Sequence, residues 1–203
     1  MKKFLVIGNP IDHSLSPKLH NYWINKNNIK ALYEKRKLNG NDLRNLISQV
    51  KEKNIDGINV TVPFKRAVIP FLDQLTDEAE KTQSVNTIYL NDNKLTGHNT
   101  DIIGFEMSLK NFKYDLNNKE VFILGAGGVV PSIIFALIKM GASKIIVSNR
   151  TKEKVDNLKK LFQNIEIVDW GEVPNFDMIV NATSVGLKKE DNIESWGADA
   201  IID

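Results

Sequence analysis

Val121-Phe122-Ile123-Leu124-Gly125-Ala126-Gly127-Gly128-Val129-Val130 is the stretch whose reading decides the fold. Four apolar residues make a short buried strand, a glycine cluster turns the chain, and the apolar pattern over 130–139 predicts a helix. A helix start offers unpaired N–H groups and a partial positive charge, both suited to a pyrophosphate, and glycines let that backbone come close. Gly125, Ala126, Gly127, Gly128 and Val129 are therefore candidate cofactor contacts. The usual third glycine of such a fingerprint falls at 130, where this chain has Val130, so the match is partial. A glycine-rich turn alone is often only a tight strand–helix connection. The strand before it and the helix after it supply the context that the nucleotide reading requires.

Strands are expected at 144–148, 165–168, 178–181 and 200–202, with a helix at 152–162 between the first two. This alternation predicts a Rossmann-like, doubly wound parallel sheet. The second strand ends in Ser148-Asn149-Arg150-Thr151, with Lys154 one turn later. An NAD site usually places an acid there, on the ribose 2′-hydroxyl, and here there is none. An arginine fork can instead hold a 2′-phosphate, so NADP is favoured over NAD. The plainer reading makes Thr151 an ordinary helix N-cap, and the two are compatible. Asn181-Ala182-Thr183-Ser184-Val185-Gly186 follows the strand at 178–181, at the sheet's carboxyl edge, which adds Thr183 and Ser184 as cofactor contacts.

Upstream lies a second α/β pattern. Strands are expected at 4–7, 32–37 and 55–62, helices at 17–25 and 42–53, a mostly helical stretch at 64–82 interrupted by Pro70, a hairpin over 85–97, and a helix at 101–111. The domain boundary is expected within 114–119, giving domains 1–113 and 114–203. The strand Ile58-Asn59-Val60-Thr61-Val62 places Asn59 and Thr61 on one face, ends at Pro63, and delivers Lys65 just beyond. Lys65 is a candidate acid/base group or anion hook, against the plain reading of a solvated loop lysine. Two more polar clusters follow, Val85-Asn86-Thr87 and Gly97-His98-Asn99-Thr100-Asp101. Ser14 and Ser16 flank a helix start, where Ser16 is the expected N-cap and both hydroxyls could grip a carboxylate. Ser14, Ser16, Asn59, Thr61, Lys65, Asn86 and Asp101 together suit a small polyhydroxylated acid.

Composition excludes several classes. Formal net charge is +2 with both signs interspersed, so charge does not point to nucleic acid. The chain has no cysteine, and its three histidines lack metal-ligand spacing, so no metal is expected. The apolar run at the N-terminus is too short for a signal peptide, and no run approaches the ~20 residues of a membrane span. A cytoplasmic protein that binds a small molecule, with neither membrane nor nucleic-acid partner and with homodimerisation left open, is the expectation.

The ordered set Gly8-Asn9-Pro10, Ser14-Leu15-Ser16-Pro17, Asn59-Val60-Thr61-Val62-Pro63-Phe64-Lys65, Val85-Asn86-Thr87, Gly97-His98-Asn99-Thr100-Asp101, Gly125-Ala126-Gly127-Gly128, Asn149-Arg150-Thr151 and Asn181-Ala182-Thr183-Ser184-Val185-Gly186-Leu187 resembles the shikimate dehydrogenase family over essentially the whole chain. The resemblance implies an N-terminal α/β substrate domain followed by a Rossmann-like NADP-binding domain. It implies reversible reduction of 3-dehydroshikimate to shikimate with NADPH, in aromatic amino-acid (chorismate) biosynthesis. By motif match, Ser14 and Ser16 hold the substrate carboxylate; Asn59, Thr61, Asn86 and Asp101 bind its hydroxyls and ring oxygen; and Lys65 and Asp101 form the catalytic pair. Asp77 aligns with an acidic position linked to the cofactor. The chemistry is coherent: hydride reaching a carbonyl carbon leaves charge on oxygen, which an ammonium can stabilise and protonate.

Two departures from the family pattern stand out. Gln83-Ser84 replaces the usual Gly-Ala before Val-Asn-Thr, and the chain stops at Ile201-Ile202-Asp203, inside an expected strand and short of the family's C-terminal end. A truncated Rossmann-like domain is therefore expected. Two alternatives stay open: a quinate/shikimate enzyme using NAD, and a non-catalytic nucleotide-binding module.

Overall fold

The computed structural model describes residues 1–186. The expected strand at 200–202 and the motif residue Leu187 lie outside them. The chain divides into two compact units, Met1–Thr100 and a second beginning at Asp101.

In the first unit, β1 (Lys2–Gly8) is followed by α1 (Ser16–Lys26), β2 (Ala31–Lys37), α2 (Leu43–Lys51) and β3 (Gly57–Val60). β1 pairs in parallel with both β2 and β3. Its alternate side chains serve two cores, as the strand period demands. Leu5 and Ile7 join Leu43, Leu46, Ile47 and Val50 of α2. Val6 turns the other way, to Ile24 of α1 and to Ile11 and Tyr33. The α2 stripe is the one its apolar spacing predicts.

The hairpin β5 (Thr87–Asn91) and β6 (Lys94–His98) extends the sheet antiparallel from β3. Its two-residue turn, Asp92-Asn93, has φ of 48° and 59°, the left-handed pair that suits the twist of a tight hairpin.

The stretch 64–82 departs from the helical expectation. It holds a short 3-10 turn at Ile69–Phe71, the two-residue strand β4 (Gln74–Leu75) and only six helical residues, α3 (Asp77–Thr82). Pro70 lacks a donor for a continuing helix, and Gln74 and Leu75 find parallel partners in Thr96 and Gly97 of β6. The sheet order is β2-β1-β3-β5-β6-β4.

The second unit opens with α4 (Asp101–Asn111), then β7 (Glu120–Leu124), α5 (Val130–Lys139), β8 (Lys144–Ser148), α6 (Lys152–Leu161), β9 (Glu166–Ile167) and β10 (Met178–Asn181). The division at 113/114 read from sequence leaves α4 with the first half; contacts put it with the second, because Leu109 packs into the core of Val121, Ile123, Ile134 and Leu137. All described strands of this sheet are parallel, in the order β10-β7-β8-β9. One face buries α4, α5 and α6. The other gathers Phe122, Leu124, Ile146 and Ile179 with Val168 and Phe176. The chain runs outward from β7 to β9, then returns to the far side of β7 as β10. The loops after β7 and β10 therefore flank the point where strand order reverses, the ligand crevice of open α/β sheets. Among the described residues no helix is long and apolar enough to cross a membrane.

Candidate substrate and nucleotide sites

In the second unit, Gly125 ends β7 with φ +107°. Its N–H donates to the Ser148 carbonyl at 2.8 Å, and the Ala182 N–H donates to the Leu124 carbonyl at 2.8 Å. The glycine turn is thus tied to β8 on one side and to the loop after β10 on the other. A Cβ at 125 would lie 2.7 Å from the Ala182 carbonyl oxygen. Gly127 differs: it is exposed, and a Cβ there would meet only the Ala182 oxygen, at 3.8 Å. Above Gly127 the backbone is open to approach, which is what a pyrophosphate needs. Val130, in the place of the third glycine, is fully buried in the helix–sheet core, so α5 is packed here through an apolar side chain rather than by close backbone contact.

Asn149 explains how the end of β8 belongs to the same site. Its Oδ1 accepts from the Ala126 N–H at 3.1 Å, and its Nδ2 donates to the Thr151 carbonyl at 2.9 Å. One side chain couples the glycine turn to the Arg150 turn. Thr151 does occupy the N-cap position of α6, but its hydroxyl makes no capping bond. Arg150 and Lys154 are exposed and make no ion pair among the described residues. Asn181 shapes the third loop. It accepts from the Thr183 hydroxyl at 2.7 Å and the Thr183 N–H at 3.1 Å, and donates to the Val185 carbonyl at 2.9 Å. Ser184 stays exposed. An open glycine backbone, cationic side chains and no acid at the end of β8 fit a dinucleotide bearing a 2′-phosphate.

In the first unit, the α1 start corrects the expected cap. Leu15, not Ser16, holds the N-cap position, with no side-chain cap; Ser16 is the first helical residue and its N–H points to the Ser14 hydroxyl at 3.4 Å. This helix start therefore carries two hydroxyls and a positive dipole end with no acid in its first turn. β3 stops at Val60, earlier than the expected 62, and Val62–Pro63 is cis. Thr61 follows the strand, its N–H bonded to the Ile7 carbonyl at 2.9 Å. Gly8 makes room for it, since a Cβ at 8 would lie 2.6 Å from Thr61 Cγ2.

Three of the polar clusters converge. Val60 N–H donates to the Asn86 carbonyl at 2.8 Å, Asn86 N–H to the His98 carbonyl at 3.0 Å, and Val85 N–H to the Lys65 carbonyl at 2.9 Å. Asn86 Oδ1 accepts from the Thr100 N–H at 2.9 Å, and Asn86 Nδ2 donates to Thr100 Oγ1 at 2.8 Å. Asn99, buried, ties this segment to the Ser84 carbonyl at 2.8 Å and to the Thr82 hydroxyl at 3.2 Å, while Gln83 takes φ 49°. The Gln83-Ser84 departure therefore lies in the turn that carries Asn86. Asn59, expected to meet substrate, is held by protein: it accepts from the Tyr33 hydroxyl at 2.7 Å and donates to Thr87 Oγ1 at 3.1 Å. Sequence does not single out Tyr33; an inward-facing phenol on β2, far along the chain from its partner, leaves no local signal. Asp77 begins α3, exposed, and pairs with Lys81 at 2.6 Å, an interaction that pushes the lysine's pKa up. Lys65 lies in the first unit and Asp101 opens the second; both are half-buried.

A parallel β-α-β sheet with a glycine turn at its order reversal, preceded by an α/β unit lined with serine, threonine, asparagine and lysine, defines a Rossmann-type two-part α/β protein. Family comparison is specific. The shikimate dehydrogenase substrate binding domain matches residues 6–88, and the shikimate/quinate 5-dehydrogenase family matches residues 106–189. The chain is 59% identical over 192 residues to shikimate dehydrogenase (NADP(+)) of Pelagibacter ubique (strain HTCC1062), an alignment covering 95% of this chain and 72% of the relative. The crystal structure of shikimate dehydrogenase from Aquifex aeolicus superposes with a TM-score of 0.87 at 41% identity, covering 95% of this chain and 72% of that one. Shikimate 5-dehydrogenase from Thermus thermophilus, in complex with NADP(H) and shikimate, gives 0.82 at 33% identity, covering 92% of this chain and 70% of that one. The chain belongs to the shikimate dehydrogenase family.

Proposed function

We propose that this chain catalyses the reversible, NADPH-dependent reduction of 3-dehydroshikimate to shikimate in aromatic amino-acid biosynthesis. The observation that carries the reading is the Asn149 clamp, which couples an open glycine turn to a cationic, acid-free turn at the carboxyl edge of a parallel sheet. Gly125, Ala126, Gly127, Gly128 and Val129 would hold the pyrophosphate; Arg150 with Asn149, Thr151 and Lys154 would hold the 2′-phosphate end; Thr183 and Ser184 would flank the nicotinamide side. Asp77 is carried in this set on family alignment alone. NADPH supplies the hydride. Ser14 and Ser16 bind the substrate carboxylate at the α1 start. Asn59, Thr61 and Asn86 orient the ring hydroxyls. Lys65 stabilises the oxygen on which charge develops and delivers its proton, with Asp101 carried as its catalytic partner on family alignment. A cytoplasmic setting belongs to the same proposal, supported by the biosynthetic role of the family.

Following NADP+ reduction by shikimate spectrophotometrically tests the reading, with quinate and NAD+ as the comparison arms. Lys65→Ala should lower kcat by about 10²–10⁴-fold, the worth of a positioned general acid, while NADPH binding survives. Unchanged turnover in that variant removes Lys65 from the mechanism. Absence of turnover on shikimate by the parent protein overturns the activity itself, and faster turnover with quinate and NAD+ replaces it with the alternative.

A further inference from the structure

The end of β8 has a neighbour on its outer side. β8 and β9 pair in parallel, with Val147 opposite Ile167. Carried past the strand ends, the same offset puts Trp170 level with Arg150. Two bonds hold the chain together there. The Val168 N–H donates to the Val147 carbonyl at 3.2 Å, and the Ser148 hydroxyl donates to the Asp169 carbonyl at 3.1 Å. Ser148 is 1% exposed, so its one hydroxyl donor is spent inside the protein on placing this loop. Residues 169–172 then form a tight turn closed from both sides. The Glu172 N–H donates to the Asp169 carbonyl at 3.1 Å, and Glu172 Oε2 accepts from the Asp169 N–H at 3.2 Å. Gly171 takes φ +99°, the left-handed place in such a turn. Trp170 is thereby held in a fixed turn, one strand over from the Arg150 turn.

Val168 and Phe176, before and after it in the chain, pack against the apolar cluster of Phe122, Leu124, Ile146 and Ile179. Trp170 leaves 40% of its surface to solvent. Closing the edge of that cluster is the plain use of an indole here. An indole close to a guanidinium serves another purpose: each has a flat face, and every nucleobase stacks on such faces. Chain position favours the second use. Adenine and the 2′-phosphate are carried by one ribose, so the base lies beside whatever grips that phosphate. With the pyrophosphate over Gly127, beyond β7, and the 2′-phosphate at Arg150, beyond β8, the dinucleotide runs outward along the order β7-β8-β9. The next loop is that of Trp170. Charge sorts the two groups in the same sense. Arg150 and Lys154 attract the phosphate, while the exposed carboxylates Asp169 and Glu172 disfavour a phosphate at the β9 turn and leave it to a neutral base.

We propose that Trp170 supplies the stacking surface for the adenine ring of the dinucleotide. The inference rests on the reading that the second unit binds NADPH. Adenosine 2′,5′-bisphosphate, which has the base and the 2′-phosphate but no nicotinamide, is the probe, and inorganic pyrophosphate is the control without a base. The chain has three tryptophans, so the full chain carrying Trp23→Phe and Trp196→Phe reports on Trp170 alone. Millimolar bisphosphate should quench its emission, and pyrophosphate should not. Adenine does not absorb where indole emits, so quenching reports contact rather than energy transfer. In calorimetric titrations, Trp170→Ala should weaken the bisphosphate and NADPH by a common factor of about five or more, the worth of one base–aromatic stack, and Trp170→Phe should recover most of that loss. Trp170 emission unmoved by the bisphosphate, a quench that pyrophosphate reproduces, or binding by Trp170→Ala within about twofold of the parent each overturn the inference. NADPH oxidation with 3-dehydroshikimate by a protein whose Trp170 emission does not respond removes the inference and keeps the functional reading. Quenching by the bisphosphate without turnover on shikimate does the reverse.

Discussion

Gly125 and Gly127 sit two residues apart in one turn, and their surroundings predict opposite consequences for the same substitution. Gly125→Ala forces an L residue to φ +107° and sets its methyl 2.7 Å from the Ala182 carbonyl oxygen, 2.9 Å from the Ala182 carbonyl carbon and 3.1 Å from Thr183 Cγ2. The first two are backbone atoms that cannot rotate away, and Ala182 is anchored by its bond to Leu124. Backbone strain of ~1–3 kcal/mol and overpacking of ~1–3 kcal/mol together give a loss of about 2–6 kcal/mol. At ~2–4 °C per kcal/mol for a chain of this size, the melting temperature should fall by roughly 4–24 °C. Gly127→Ala meets only an ordinary contact at 3.8 Å, in a backbone conformation open to any residue. Its stability should stay level or rise by up to ~1 kcal/mol, from the smaller entropy of the unfolded chain. The new methyl does occupy the open backbone where a pyrophosphate would lie, and displacing that group by a few tenths of an ångström should weaken NADPH by about 10-fold or more, ~1.4 kcal/mol. Calorimetry without ligand and fluorescence titration with NADPH separate the two. A Gly127→Ala protein that binds NADPH within about twofold of the parent, well short of that tenfold loss, refutes the pyrophosphate assignment. A Gly125→Ala protein that melts with the parent refutes the packing argument.

Two further outcomes follow from charge. Arg150→Ala should weaken NADPH by roughly 10- to 100-fold, from the ~1.5–3 kcal/mol of a hydrogen bond to a charged group, and should leave NADH nearly unaffected; equal losses for both cofactors count against a 2′-phosphate contact. Asp73 and Asp177 are each held below the ordinary carboxylate value of 3.8, first by a backbone N–H (Leu95 and Glu120 respectively) and then by a lysine (Lys51 and Lys119). A depressed folded-state pKa means stability that is present above the unfolded value and is lost as pH falls through the folded one. Asp73→Asn and Asp177→Asn should therefore melt below the parent at about pH 7 and converge with it as acidification passes the ordinary carboxylate value and then the lower folded-state one; a difference that stays constant across that range shows that the charge contributes nothing.

What a sequence reveals depends on the range over which each element is determined. α4, α5, β8 and β10 begin and end at the expected residues, because caps, glycines and apolar spacing are local. The Asp92-Asn93 turn is equally plain. The stretch 64–82 misleads because Phe64, Val68, Phe71, Leu72 and Leu75 recur at helical spacing, yet they pack on one core while the backbone between them is irregular. What organises it is remote: Asp73 caps the start of β6 through the Leu95 N–H at 2.8 Å, and β4 exists only as a neighbour of β6. The α1 cap lies one residue from its expected place for a smaller reason. Ser14, two positions upstream, supplies the oxygen that faces the Ser16 N–H. Most candidate site residues are visible by type, while their partners are not.

The same distinction separates two ways an asparagine can serve a binding site. Residue type marks Asn59, Asn86 and Asn149 as contacts, and Asn181 stands in the same kind of loop, yet each spends polar atoms on the protein. Asn149 joins the glycine turn to the Arg150 turn, Asn181 folds the loop of Thr183, Asn59 joins Tyr33 of β2 to Thr87 of β5, and Asn86 holds the Thr100 segment. A primary amide suits this work because it carries a donor and an acceptor on a rigid plane. Aspartate at any of these positions would present two acceptors and leave the next acceptor facing a like partner, so charge-neutral amides recur where the order of donors matters. The cationic and hydroxyl groups Lys65, Arg150, Ser14 and Ser16 need no such polarity and stand where ligand charge is expected. On the proposed function, specificity for a polyhydroxylated acid would draw on the amides that shape the site as well as on the groups that meet its charge.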